Sequence, residues 1–176
     1  SIAPYAFAEC VSLQSVAIPA CVTEICEGAF VYCEGLKTIV IPDNAALETI
    51  GAYAFNACIG LEAFHVTSKV LSIGNYAFAL DQKLQSLTFA ENCSIESIGD
   101  SAFWFCDIRT LELPASLITV VKEQTSDLIG SRYVGDYAFE SNVNLTTVTF
   151  REGFQMTALP THYFANTGIE RIVLPD

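Results

Sequence analysis

The dipeptide Ala-Phe recurs along this chain, at Ala6-Phe7, Ala29-Phe30, Ala54-Phe55, Ala77-Phe78, Ala102-Phe103 and Ala138-Phe139. Tyr163-Phe164 is a seventh, altered copy. The steps from Phe to Phe are 23, 25, 23, 25, 36 and 25 residues. A period of this length marks an array of coils, each too small to bury its own apolar side. Such a chain gains an interior only by laying equivalent positions of successive units over one another.

The surroundings of the Phe repeat with it. Five residues earlier stands Ile2, Ile25, Ile50, Ile73, Ile98, Val134 or Leu159. Four earlier there is often a glycine (Gly51, Gly74, Gly99, Gly135), replaced elsewhere by Cys26 and Pro160. Two earlier an aromatic is frequent: Tyr5, Tyr53, Tyr76 and Tyr137. Three later comes Cys10, Cys33, Cys58 or Cys106, with Asp81, Asn142 and Thr167 in the other copies.

A phrase Leu-x-x-apolar-x-apolar then follows, as in Leu36/Ile39/Ile41, Leu84/Leu87/Phe89 and Leu145/Val148/Phe150. Its alternation has the period of a half-buried strand. Pro19, Pro42, Pro114 and Pro175 follow the strand in four copies, where a residue without an N–H suits a strand end. The pattern predicts a repeat solenoid over residues 1–176, one domain of about seven units of 23–25 residues. The expected architecture is a right-handed coil. One parallel β-sheet of about seven short strands lies on one side, with short helical or irregular turns on the other.

The assembled unit is apolar-x-x-apolar-Gly-x-x-Ala-Phe-x-x-Cys-x-x-Leu-x-x-apolar-x-apolar-Pro. Val22, Ile25, Ala29, Phe30, Cys33, Leu36, Ile39, Ile41 and Pro42 carry nearly all of it, with Cys26 at the glycine position. The chain resembles the BspA-like leucine-rich repeat family over essentially its whole length. The resemblance implies a surface-exposed or secreted protein of bacteria or protozoa living on host mucosa, treponemes among them. It also implies attachment to host-cell or matrix proteins or contact between microbes, hence an extracytoplasmic location. It says little about the particular ligand, because one fold hosts many functions. In such families the cysteine column is a packing feature, so free buried thiols are expected. Disulfides along the column are the alternative, since stacked units bring Cys10 near Cys33 and Cys33 near Cys58.

One unit departs from the period. Between Phe103 and Phe139 about 11–13 residues are added, near 121–133, including the apolar pair Leu128-Ile129. Insertions in solenoids are extruded as loops and often bind; a tolerated surface loop is the plainer reading. Leu128 and Ile129 are candidates for contact with a partner or for patching the core beside the insertion.

Strand positions pointing away from the core form a candidate protein-binding face. Alternation places there Ser15 and Ala17, Thr38 and Val40, Ala63 and His65, Ser86 and Thr88, Thr110 and Glu112, Thr147 and Thr149, and Arg171 and Val173. The face is small and hydroxyl-rich, with few of the aromatic and Arg anchors that dominate binding energy, and Thr also simply suits a strand surface. A second candidate is Trp104-Phe105, with Leu80 one unit earlier and Val31 and Tyr32 further up, an apolar pair placed where Ala8, Asn56, Ala79 and Glu140 stand elsewhere; packing against the insertion in the adjoining unit is the plainer reading.

Composition narrows the function. The chain is 52% hydrophobic and 16% charged, which argues against disorder. Twenty acidic against eight basic residues give a net charge of −12, which disfavours nucleic acid as a partner. No apolar run is long enough to span a bilayer. There is no Gly-rich phosphate loop, Gly-x-Ser-x-Gly elbow, His-Glu-x-x-His or Cys-x-x-Cys pair, so no enzyme, cofactor or metal is expected. Seven cysteines leave at least one thiol unpaired within the chain. His65 and His162 read as ordinary surface residues, and two Asn-x-Ser/Thr matches, at Asn92 and Asn144, are close to chance.

The chain opens in mid-pattern and neither end looks capped, so flanking sequence, a partner or a second copy is expected against the end units. Three functions are therefore weighed. The first is an adhesin-like protein-binding module. The second is an assembly module that self-associates through its terminal repeats. The third is a small-ligand pocket opened by the insertion between the units of Phe103 and Phe139.

Overall fold

The structure is a computed structural model that describes residues 1–118, 135–156 and 158–175. Eleven strands follow one another among the described residues: β1 Ser15–Ala17, β2 Glu24–Ile25, β3 Thr38–Val40, β4 Thr49–Ile50, β5 Ala63–Val66, β6 Ser72–Ile73, β7 Ser86–Phe89, β8 Ser97–Ile98, β9 Thr110–Leu113, β10 Thr147–Phe150 and β11 Arg171–Val173. All pairings are parallel, and equivalent residues of successive coils face one another, as Phe64 faces Leu87 and Val66 faces Phe89. The molecule is thus a parallel-strand solenoid.

Two features differ from the sequence-based expectation. The seven longer strands do not make one sheet: β1 pairs with β3, while β5, β7, β9, β10 and β11 form a separate ladder. The far side contains no helix among the described residues. It carries a second, four-stranded sheet, β2-β4-β6-β8, built from the aliphatic position five before Phe30, Phe55, Phe78 and Phe103. These strands are two residues long, too short to show any alternation, which is why the pattern did not announce them.

The apolar repeat positions of the inner coils turn inward. The seven repeat Phe rings make one file: Phe7, Phe30, Phe55, Phe78, Phe103, Phe139 and Phe164, with successive centroids 5.1, 5.2, 5.1, 5.1, 5.3 and 5.7 Å apart. The five from Phe30 to Phe139 are fully buried. The long step from Phe103 to Phe139 leaves this file unbroken, and β9 and β10 pair in register across it, Thr110 with Thr147 and Leu113 with Phe150. The Phe103 and Phe139 rings are stacked at 5.3 Å, with no room for a ligand between the two rings themselves; the insertion lies outside the described residues.

Gly74 shows how close the coils approach. A Cβ there would lie 2.5 Å from the Ala52 amide nitrogen, so only hydrogen fits.

Candidate functional site

Phe7, Phe30, Phe55 and Phe78 each sit at the centre of three overlapping, hydrogen-bonded four-residue turns. In one coil Ala54 donates to the Gly51 carbonyl, Asn56 to Tyr53 and Cys58 to Phe55. The first and third turns need a left-handed third residue, and Tyr53 and Ala57 supply it at φ 57° and 58°. The same two positions, two before and two after the Phe, have positive φ in every coil.

The alternate N–H groups, freed from the local turns, bond to the next coil. The Phe amide donates to the carbonyl of the residue before the next Phe at 2.7–3.0 Å at all six steps. The two left-handed residues donate likewise: Tyr53 to Asn75 at 2.9 Å and Ala57 to Ala79 at 2.9 Å. The turns are therefore a hydrogen-bonded ladder, and side chains on them are held on stiff backbone.

That ladder fixes the apolar candidate. Leu80 and Phe105 occupy the left-handed position two after the Phe, with φ 68° and 59°, and Leu80 donates its N–H to the Trp104 carbonyl at 2.8 Å. The Trp104 and Phe105 rings are 5.8 Å apart and tilted. Phe105 is 46% exposed, Trp104 and Leu80 half-buried. Leu128 and Ile129 lie outside the described residues.

The strand face lies where alternation puts it. Thr38, Val40, His65, Thr88, Glu112 and Arg171 are exposed, and Thr149 is half-buried. His65 Nδ1 and Thr88 Oγ1 share a hydrogen bond of 2.9 Å, joining β5 to β7. Glu112 receives the Arg151 Nε–H at 2.9 Å. The face is divided, because no pairing joins β3 to β5 among the described residues. Thr38 and Val40 therefore belong to one ladder and the other five residues to another.

All seven cysteines are free thiols. Cys33, Cys58 and Cys106 point inward, and each donates to the carbonyl of an earlier repeat Phe: Cys33 to Phe7 at 3.0 Å, Cys58 to Phe30 at 3.2 Å and Cys106 to Phe78 at 3.1 Å. Burial pushes all three thiols above the ordinary range. Cys10 differs: it is exposed, because no earlier coil within residues 1–176 covers it. Asn142 takes the cysteine position in the sixth coil. Its amide donates to the carbonyls of Phe103 and Phe139 at 2.8 and 3.0 Å and accepts from the Ile108 N–H at 3.1 Å.

Two residues escaped the sequence reading. Asp81, in the same column, is fully buried, and neither carboxyl oxygen has a hydrogen-bond partner. The signal was an acid in a line of cysteines. Arg151 reaches back two strands, donating to the carbonyls of Phe89 at 3.0 Å and Ala90 at 2.8 Å. At the equivalent place in the coil between them stands Pro114, which has no N–H to give. Among the described residues no group of three or more His, Cys, Asp or Glu side chains is placed to hold a metal ion. No helix among them is long and apolar enough to cross a membrane.

These coils, their Phe file and their cysteine column define a class of protein, the parallel leucine-rich repeat solenoid. The BspA type leucine rich repeat region matches residues 1–127 and 129–176 in 6 copies, and the chain belongs to that family. Pneumococcal vaccine antigen PcpA has a similar structure, with 22% identity and a TM-score of 0.57 over 92% of this chain and 51% of that one. A leucine-rich repeat protein from Bacteroides ovatus is similar at 21% identity and a TM-score of 0.51, over 99% of this chain and 58% of that one. The chain thus spans little more than half the length of either. No curated protein matches it significantly. The family suggests a protein-interaction module, and its repeat fold is typically a non-enzymatic binding scaffold.

Proposed function

We propose that this chain is a non-enzymatic, adhesin-like binding array, displayed outside the cytoplasm and attaching to proteins of host cells, their matrix or neighbouring microbes. The observation that carries this reading is the exposed apolar patch on the turn ladder. A left-handed position is occupied most cheaply by Gly or Asn, and Gly28 and Asn166 occupy such positions in this ladder. Leu80 and Phe105 are large and apolar, stand at such positions, and have Trp104 beside them. An aromatic anchor on rigid backbone binds with little loss of side-chain entropy. With a net charge of −12, the favoured partner surface is basic around an apolar centre. Thr38, Val40, His65, Thr88, Glu112, Thr149 and Arg171 offer a second, more polar contact face.

Immobilised fibronectin and laminin, titrated with the folded chain in surface plasmon measurements, test the proposal. Saturable binding that Trp104→Ala and Phe105→Ala weaken at least about tenfold is the expected result. Uniform failure of a folded sample to bind overturns it.

A second reading, assembly through the end coils, would place the apolar Phe7, Ile172 and Leu174 in the contact. Light scattering at tens of micromolar decides: association supports this reading and a strict monomer removes it.

A further inference from the structure

We propose that Asp81 is protonated in the folded array and donates its carboxyl O–H to the Phe55 carbonyl. The joint between these two coils is then held in acid and loosened as pH rises. The column around it supplies the reasoning. Cys33, Cys58 and Cys106 each give a side-chain hydrogen to the Phe carbonyl of the coil before, and Asn142 does the same with its amide. Asp81 holds the same position in its coil, three after Phe78, and the column's rule would aim it at Phe55, whose carbonyl accepts the Cys58 N–H at 3.1 Å. No side chain among the described residues donates to it.

An ionised carboxylate has only lone pairs, whereas the acid form has one donor. Only the acid form can therefore play the column's part. The surroundings agree. Asp81 is fully buried and its two oxygens have no partner. The titratable groups facing it are the thiols of Cys58 and Cys106, one from each adjoining coil, which add no positive charge. Neither ion pair of the described residues involves it. Burial raises its carboxyl well above the usual range, and the Cys58 N–H, already given to Phe55, only partly opposes this.

The sign follows from linkage. A carboxyl whose folded pKa exceeds its unfolded value, about 3.9, keeps its proton on folding. The stabilisation is complete below that value and is lost as pH rises through the folded pKa. The charge repulsion of the other acidic residues also varies with pH, so the readout is a difference between variants.

Asp81→Asn copies Asn142 and carries a donor at every pH; Asp81→Cys copies the other coils. The expected result is a thermal midpoint above wild type by about 4 °C or more near pH 8 for Asp81→Asn, shrinking towards zero near pH 4. Asp81→Cys shifts it in the same sense. Infrared spectra of the wild-type chain at neutral pH show the C=O stretch of a protonated carboxyl, absent in Asp81→Asn. A midpoint difference independent of pH, or no protonated-carboxyl band, overturns the proposal.

Discussion

The thiol of Cys58 donates to the carbonyl oxygen of Phe30, in the preceding coil, at 3.2 Å. One small buried side chain thereby ties two coils together at the edge of the Phe file. Cys58→Ala removes the donor and leaves a small void. The expected loss is about 1–2 kcal/mol, read from urea denaturation midpoints at constant slope. Unchanged stability would mean that this bond contributes nothing net.

Thiol chemistry separates the cysteines. Cys10 and Cys21 are exposed, while Cys33, Cys58, Cys93 and Cys106 are buried. Burial raises these four thiols, which lowers their thiolate fraction further at neutral pH. A disulfide reagent added to the folded chain is expected to titrate Cys10 and Cys21 first. The buried four should react only on unfolding, as peptide mapping would show. Fast labelling of Cys58 or Cys106 would contradict their placement.

Arg151 compensates for a proline. The strand residue Phe89 would take an N–H from the next coil, but Pro114 stands there, and Arg151 Nη2 reaches the carbonyl instead at 3.0 Å. Arg151→Met keeps much of the stem and removes the donors to Phe89 and Ala90. The expected cost is about 1–3 kcal/mol, most of it independent of salt because the acceptors are neutral. A loss that vanishes in high salt would assign the effect to the ion pair with Glu112 instead.

The Phe file is the interior. Phe78 is fully buried between Phe55 and Phe103, at 5.1 Å from each. Phe78→Ala is expected to cost about 3–5 kcal/mol. Because each coil touches only its neighbours, the damage should be local: hydrogen exchange should quicken in β5, β7 and β9 before β1 or β11. A uniform increase along the chain would argue against coil-by-coil stability.

Much of this was legible in the residues. The spacing of the Ala-Phe pairs set the coil length, and the phrase around Leu84, Leu87 and Phe89 set strand β7 and its inward face. The exposed positions of Thr88, Glu112 and Arg171 followed from alternation alone. Ile25, Ile50, Ile73 and Ile98 were recognisable as a buried column, yet their two-residue strands were not, because two residues carry no period. The division of the longer strands between β3 and β5 left no local mark either.

The sequence by itself determined the period, the membership of each column and the apolar file, because these depend on side-chain type at fixed intervals. Only the tertiary structure decided how the leftover polar groups are matched. Whether Phe30 or Phe89 finds a side-chain donor depends on what the neighbouring coils place beside it: Cys58 in one case, Pro114 and then Arg151 in the other. A buried carbonyl must be paired across space, and that pairing joins residues which no sequence window contains.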